Sequence, residues 1–164
     1  MPQFIRRMLF VTFLISTFVS CEKDEIAPPN PVTDISLNYN SMELQIIDLI
    51  SDYRYQKGLS ELNCFNLVSK EAETHTDYMI EKSEVSHDYF NARVENLIAD
   101  VQAKSVAENV GYGYATAESL VNAWLESSSH LLNIESTSYT DFGISAKTNS
   151  EGNYYVTHIF INRQ

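Results

Sequence analysis

The chain reads as an α+β domain in which helices come first and a β-hairpin closes the fold. Three observations predict this. Apolar residues recur at helical spacing through residues 42–101. Strand-like runs then stand at 106–110, 142–147 and 154–161. The last two flank Asn149-Ser150-Glu151-Gly152-Asn153, a segment of turn formers.

The elements follow in order. A first helix is expected from Met42, with Leu44, Ile46, Ile47 and Ile50 on one wide apolar face and Gly58 where a C-terminal cap belongs. A second is expected from Asn63 to Lys82, because Phe65, Val68, Ala72, His75 and Met79 recur at spacings of three and four. A third covers Phe90 to Val101, aligning Phe90, Val94, Leu97 and Val101. Val106–Val110 has strand character and ends at Gly111 and Gly113. Thr116 can cap a fourth helix that turns Ala117, Leu120, Val121 and Trp124 inward.

At 164 residues the chain has room for one ordinary domain. Ahead of it, Arg6 and Arg7 precede an apolar run from Met8 to Val19. Twelve helical residues rise about 18 Å, short of the roughly 30 Å of membrane hydrocarbon, so residues 1–20 read as a signal peptide. Phe18-Val19-Ser20-Cys21 resembles the lipobox of bacterial lipoproteins. That resemblance implies diacylglycerol on Cys21 and a membrane as partner through the lipid anchor. The following Glu22-Lys23-Asp24-Glu25 resembles a surface-export signal, so the expected location is the outer membrane or cell surface. Residues 21–41 are expected to form the lipidated N-terminus and a flexible tether, since Pro28, Pro29 and Pro31 disfavour helix. The domain proper is placed at 42–164.

Net charge is −11, and residues 21–164 alone hold 9 basic against 22 acidic side chains. Such a balance argues against nucleic acid as a partner, and against binding to anionic membrane surfaces as a main function. Two cysteines, Cys21 and Cys64, make no disulfide framework. Cys64 is read as a reduced packing residue.

Four pieces together resemble the CAP superfamily of cysteine-rich secretory, antigen-five and pathogenesis-related proteins. They are Ile47-x-x-Ile50 … Tyr53-Arg54 … Gly58-Leu59 … Leu62 with Ala72-x-x-His75-x-x-x-Met79; Ser86-His87-Asp88 with Arg93; Ala107-Glu108-Asn109-Val110 with Gly111-Tyr112-Gly113; and Trp124-Leu125-x-Ser127-x-x-His130 … Asn133-Ile134 with Phe142-Gly143-Ile144. The resemblance implies a three-layer α–β–α sandwich and a cavity lined by His87, Glu108 and His130. Two imidazoles and a carboxylate suit Zn²⁺ or another divalent cation, and the same groups can exchange protons near neutral pH. Glu108 is the candidate catalytic group. Asn109, Ser127 and His158 are further cavity candidates.

The residues themselves add to this. Glu108 shares a strand face with Val106 and Val110, so it should point inward and require a partner. His75 lies among core positions and reads as a buried structural histidine. The family's second glutamate, expected one turn after the helix tryptophan, is replaced by Ser127; Glu126 falls about 200° around the helix from Trp124 and faces water. No acid–base–serine pattern surrounds Ser127 to Ser129. The leading expectation is a non-catalytic binding module at the cell envelope, its His/Glu cavity holding a divalent metal or a small ligand, a lipid among the candidates, with a small ligand or an envelope or host molecule as partner. Its alternatives are a metal-dependent hydrolase of peptide or envelope polymer, and an adhesion domain with an unused cavity.

Overall fold

The computed structural model describes residues 32–163. The signal-peptide, Cys21 lipidation and export-signal expectations lie outside the described residues. Helix α1 (Ser41–Gln56) is followed by a two-residue strand β1 (Asn63–Cys64), α2 (Asn66–Lys82) and α3 (Phe90–Val101). Strand β2 (Ser105–Tyr112), α4 (Ala117–Glu126), α5 (Ser128–Glu135) and the hairpin β3 (Asp141–Thr148) and β4 (Tyr154–Asn162) complete the order.

The sheet runs β1-β3-β4-β2, with β1 parallel to β3 and the other pairs antiparallel. Helices α2 and α3 cover one face, while α1, α4 and α5 cover the other, giving the expected three layers. Each layer buries its own cluster. Ile46, Ile50, Leu120, Trp124, Ile134 and Phe160 meet on the α1 side. Phe65, Val68, Ala72, Leu97 and Ile159 meet on the α2 side. Gly143 lets α2 approach β3 closely, because a Cβ there would collide with the backbone of Val68 and Ser69.

Strand β1 is so short that, beyond Phe142, side chains replace a strand along the outer edge of β3. Ser69 Oγ accepts from Ile144 N at 3.0 Å and Glu43 Oε1 from Ala146 N at 2.8 Å. Asn40 Nδ2 donates to Ala146 O at 2.8 Å. The same two residues form the capping box of α1, with Asn40 Oδ1 accepting from Met42 N and Glu43 N and Glu43 Oε2 accepting from Asn40 N. One pair thus starts a helix and closes a sheet edge that would otherwise invite pairing.

Several expectations need correction. The buried residues of α1 are Met42, Glu43, Ile46, Ile50 and Arg54, and Leu44 stays half in water. Recruiting Glu43 to the sheet edge rotates the helix away from the purely apolar face. The second helix starts three residues late, since Asn63 and Cys64 pair with β3. Its first amides, Asn66 N and Leu67 N, are instead capped at 3.0 Å by the carboxylate of Asp34. Residues 34–40 therefore dock on the domain and do not belong to a tether ending at 41. Cys64 is exposed, not packed, and its thiol donates to Tyr39 Oη at 3.2 Å. Helix α5, absent from the sequence reading, ends under Arg54, whose Nη1 donates to Ile134 O and Ser136 O.

Replacing Asn40 by Ala removes two capping bonds and one edge bond. We expect a loss of about 2 kcal/mol, read as a lower urea midpoint with an unchanged m-value. Glu43→Gln keeps the shape but has one acceptor oxygen for two N–H donors, those of Asn40 and Ala146, so it loses one of these bonds outright and should also lower the midpoint.

Candidate functional site

Strand β2 is the free edge opposite β1, and the site is built around it. Glu108 points to the α2–α3 layer, where its side chain is 1% exposed. Arg93, on α3, meets it with a fork: Nε donates to Oε2 at 2.8 Å and Nη2 to Oε1 at 2.7 Å. His87 Nδ1 donates to Oε1 at 2.8 Å, and His75 Nε2 stands 3.9 Å from the same oxygen. Burial alone would raise the Glu108 pKa, but the hydrogen bonds from His87 and Arg93 and the Arg93 charge outweigh it and hold the carboxyl below its ordinary value.

This cluster also positions the loop between α2 and α3. His75 Nε2 donates to Ser86 O at 2.8 Å, and Arg93 Nη1 donates to Asp88 O at 2.6 Å. Tyr78 Oη donates to the Asp88 carboxylate at 2.9 Å. Ser86, His87 and Asp88 are thus each tied to a rigid element. Tyr89 follows in the left-handed region at φ 57, a costly conformation for an aromatic residue.

His130 reaches the site from the opposite layer. Its carbonyl accepts from Asn109 Nδ2 at 3.1 Å, and Asn109 Oδ1 in turn accepts from Asn133 Nδ2 at 2.8 Å. Asn109 is fully buried, so it supports α5 and does not line the groove. Trp124 Nε1 donates to Val110 O at 3.0 Å, holding α4 to the strand edge. Gly111 permits this, because a Cβ there would strike Leu120 beside the Trp124 ring.

The result is a groove of about 440 Å³ in which His87, His130 and Ser127 face one another's walls. Val85, Val110, Tyr112, Tyr114 and Trp124 supply its apolar surface. A second pocket of about 310 Å³ continues along β2 past His87, bounded by Phe90, Val106, Glu108 and Asn133. Burial, and then the charge of nearby His87, lower the pKa of His130 and favour its neutral form.

The geometry therefore brings together His87, His130 and Ser127, and sets Glu108 behind His87. Ser127 Oγ bonds Ser129 Oγ at 3.2 Å. His158 departs from the expected cavity position: it is 1% exposed, stacked on Trp124 and packed against Phe142 and Phe160, with no partner for either ring nitrogen. It borders a void of about 10 Å³ on the α1 side. The reason is register, since His158 pairs with Asn109 and so shares its inward face. His75 is buried as expected, but it belongs to the Glu108 cluster.

The expected metal set can be tested against this arrangement. Glu108 has both oxygens engaged, and among the described residues no three His, Cys, Asp or Glu side chains converge as a ligand group. A ligating histidine normally donates its other ring N–H to an acceptor. His87 has Glu108 in that role, whereas His130 Nδ1 is buried with no partner. The pair does not fit a metal centre held by both rings.

Sequence reasoning missed Arg93 as a site residue. Its signal was present, because Arg93, Leu97 and Val101 are spaced by four and are the buried residues of α3. An arginine on an apolar stripe needs a carboxylate, and Glu108 needed a partner.

Arg93→Ala leaves the Glu108 carboxylate buried with too few partners and should cost about 3–5 kcal/mol in urea unfolding. Acid stability should carry two signatures. His158, with its pKa lowered to about 3 by burial, stays neutral while the unfolded chain takes a proton near 6.5. Its stabilisation is complete above 6.5 and is lost as pH falls toward 3. His158→Leu should flatten the acid limb of a pH–stability curve across that window. Glu108, with its pKa depressed, adds a loss only below the ordinary 4.5, and Glu108→Gln should remove it.

Comparison with known proteins agrees with the fold. The cysteine-rich secretory protein family (CAP) model matches residues 47–160. YkwD of Bacillus subtilis is 25% identical over 118 residues, which are 70% of this chain and 46% of that protein, so the chain spans under half the length of this relative. An outer surface protein of Borrelia burgdorferi superposes with a TM-score of 0.70 at 18% identity, covering 80% of this chain and all of that one. An extracellular protein with an SCP domain from Bacillus anthracis superposes at 0.65 and 20% identity, covering 77% and 45%. With the family pattern spanning residues 47–160 and the sandwich in place, this chain belongs to the cysteine-rich secretory protein (CAP) family.

Proposed function

We propose that the chain is an exported, non-catalytic binding module whose ligand occupies the groove at the edge of β2. The observation that supports this most is the state of Glu108. Three hydrogen bonds from Arg93 and His87 hold both of its oxygens and its side chain is 1% exposed, which disfavours a role in activating water for a ligand. The groove volume of about 440 Å³ suits a small molecule or a short segment of polymer.

Export rests on the apolar run of residues 8–19 and on relatives whose names describe an outer surface protein and an extracellular protein. Lipid anchoring through Cys21, at the outer membrane or cell surface, completes the proposal. It would concentrate the groove at the envelope, where a weak ligand is bound more effectively.

Calorimetric Zn²⁺ titration, compared with His87→Ala/His130→Ala, separates this reading from the metal-dependent hydrolase. We expect no submicromolar, one-to-one Zn²⁺ binding and no turnover of peptide or envelope polymer. Metal-dependent cleavage that disappears in Glu108→Gln would establish the hydrolase instead.

A further inference from the structure

The two histidines of the groove are chemically opposite. Glu108 is an ionised carboxylate that already accepts two bonds from Arg93, so it can only accept from His87. His87 Nδ1 therefore carries a proton, and in the neutral ring Nε2 is a lone pair. Its side chain is 52% exposed, which leaves that nitrogen facing the groove. His130 has the reverse arrangement. Its Nδ1 is buried with no acceptor within reach, and an orphaned N–H there would forfeit a hydrogen bond. The proton belongs on Nε2, the nitrogen left to meet the groove, where any ligand or solvent can accept from it. One wall thus offers an acceptor and the other a donor.

The groove also has a direction. Its two pockets share His87 and together follow β2 from Val106 to Tyr112. Seven extended residues span about 20 Å, the length of a peptide of six or so residues. The carbonyls of Glu108 and Val110 are already taken by Asn133 and Trp124, at 3.4 and 3.0 Å. A strand added in the ordinary way would lack those acceptors, and His87 Nε2 is an acceptor that the groove offers in their place.

From these features we infer that the groove receives an extended peptide segment beside β2, with one backbone amide bracketed by the histidines. The peptide N–H donates to His87 Nε2, and its carbonyl accepts from His130 Nε2–H. Val85, Val110 and Tyr112 offer apolar contact to alternate side chains of the segment. The net charge of −11 favours a neutral or basic segment over an acidic one. This inference rests on the binding-module reading and names its ligand class.

Two measurements on the full-length protein in neutral detergent micelles test it. Long-range ¹⁵N–¹H correlation of the histidine rings reads the tautomers directly. We expect the proton on Nδ1 of His87 and on Nε2 of His130; the proton on Nδ1 of His130 overturns the inference without touching the binding-module reading. The second measurement titrates an acetylated, amidated hexapeptide of alternating threonine and valine, followed by amide shifts along β2. His87→Ala and His130→Ala should each weaken it about tenfold, while His87→Gln and His130→Gln, which restore an acceptor and a donor, should recover most of the affinity. Undiminished peptide binding in the alanine variants, or binding of an N-acetylglucosamine trimer in preference to the peptide, overturns it. Hydrolysis of the peptide would instead sink the non-catalytic reading and leave the bracketing geometry standing.

Discussion

The ion pair between Arg93 and Glu108 is the interaction on which the site depends. Neither charge would be tolerated in the interior alone, because desolvation of an isolated carboxylate or guanidinium costs several kcal/mol. The planar fork of arginine meets both carboxylate oxygens at once and still spares Nη1 for the Asp88 carbonyl. A lysine, with one point charge, lacks the fork by which Arg93 ties α3, β2 and the α2–α3 loop together. Since Ser86, His87 and Asp88 lie outside helix and strand, their placement follows from this pair and from His75 and Tyr78.

The sheet has two edges, and the molecule treats them differently. Along β3 the capping box of α1 and Ser69 fill the vacant bonding positions with side chains. Along β2 the cover is partial: Trp124 and Asn133 take two carbonyls, while the layers on either side stand far enough apart to leave a groove. His87 descends from the α2–α3 layer and His130 from the α4–α5 layer. That is why two residues more than forty positions apart come to line one space.

Much of this was legible in the sequence. Helix α3 was read to its observed limits, and the inward residues of α4 were all buried, because strong 3.6-residue periodicity survives tertiary packing. Glu108 was expected to point inward and want a partner, and it does. The partner was not identified, because a pattern of apolar residues discards an arginine that shares their stripe. Leu44 and His158 were misplaced for a related reason. Which face of an element is buried is settled by its neighbours: Glu43 turns α1 toward β3, and the register of β4 with β2 sends His158 beside Asn109. Helix α5 escaped notice because its eight residues carry too little periodicity to stand apart from a loop.

A site of histidines and a carboxylate admits several chemistries, and the proposed binding reading draws its support from the back-side hydrogen bonds. A general base must reach substrate, yet Glu108 is buried with both oxygens held by Arg93 and His87. A metal centre needs each ring's distal N–H satisfied, yet only His87 meets that condition. What remains is a pair of imidazoles whose outward nitrogens differ in kind, one able to accept and one to donate, set against apolar walls. Such a pair is matched by a neutral group that donates and accepts at neighbouring atoms, and the amide of a peptide backbone is the commonest group with that property.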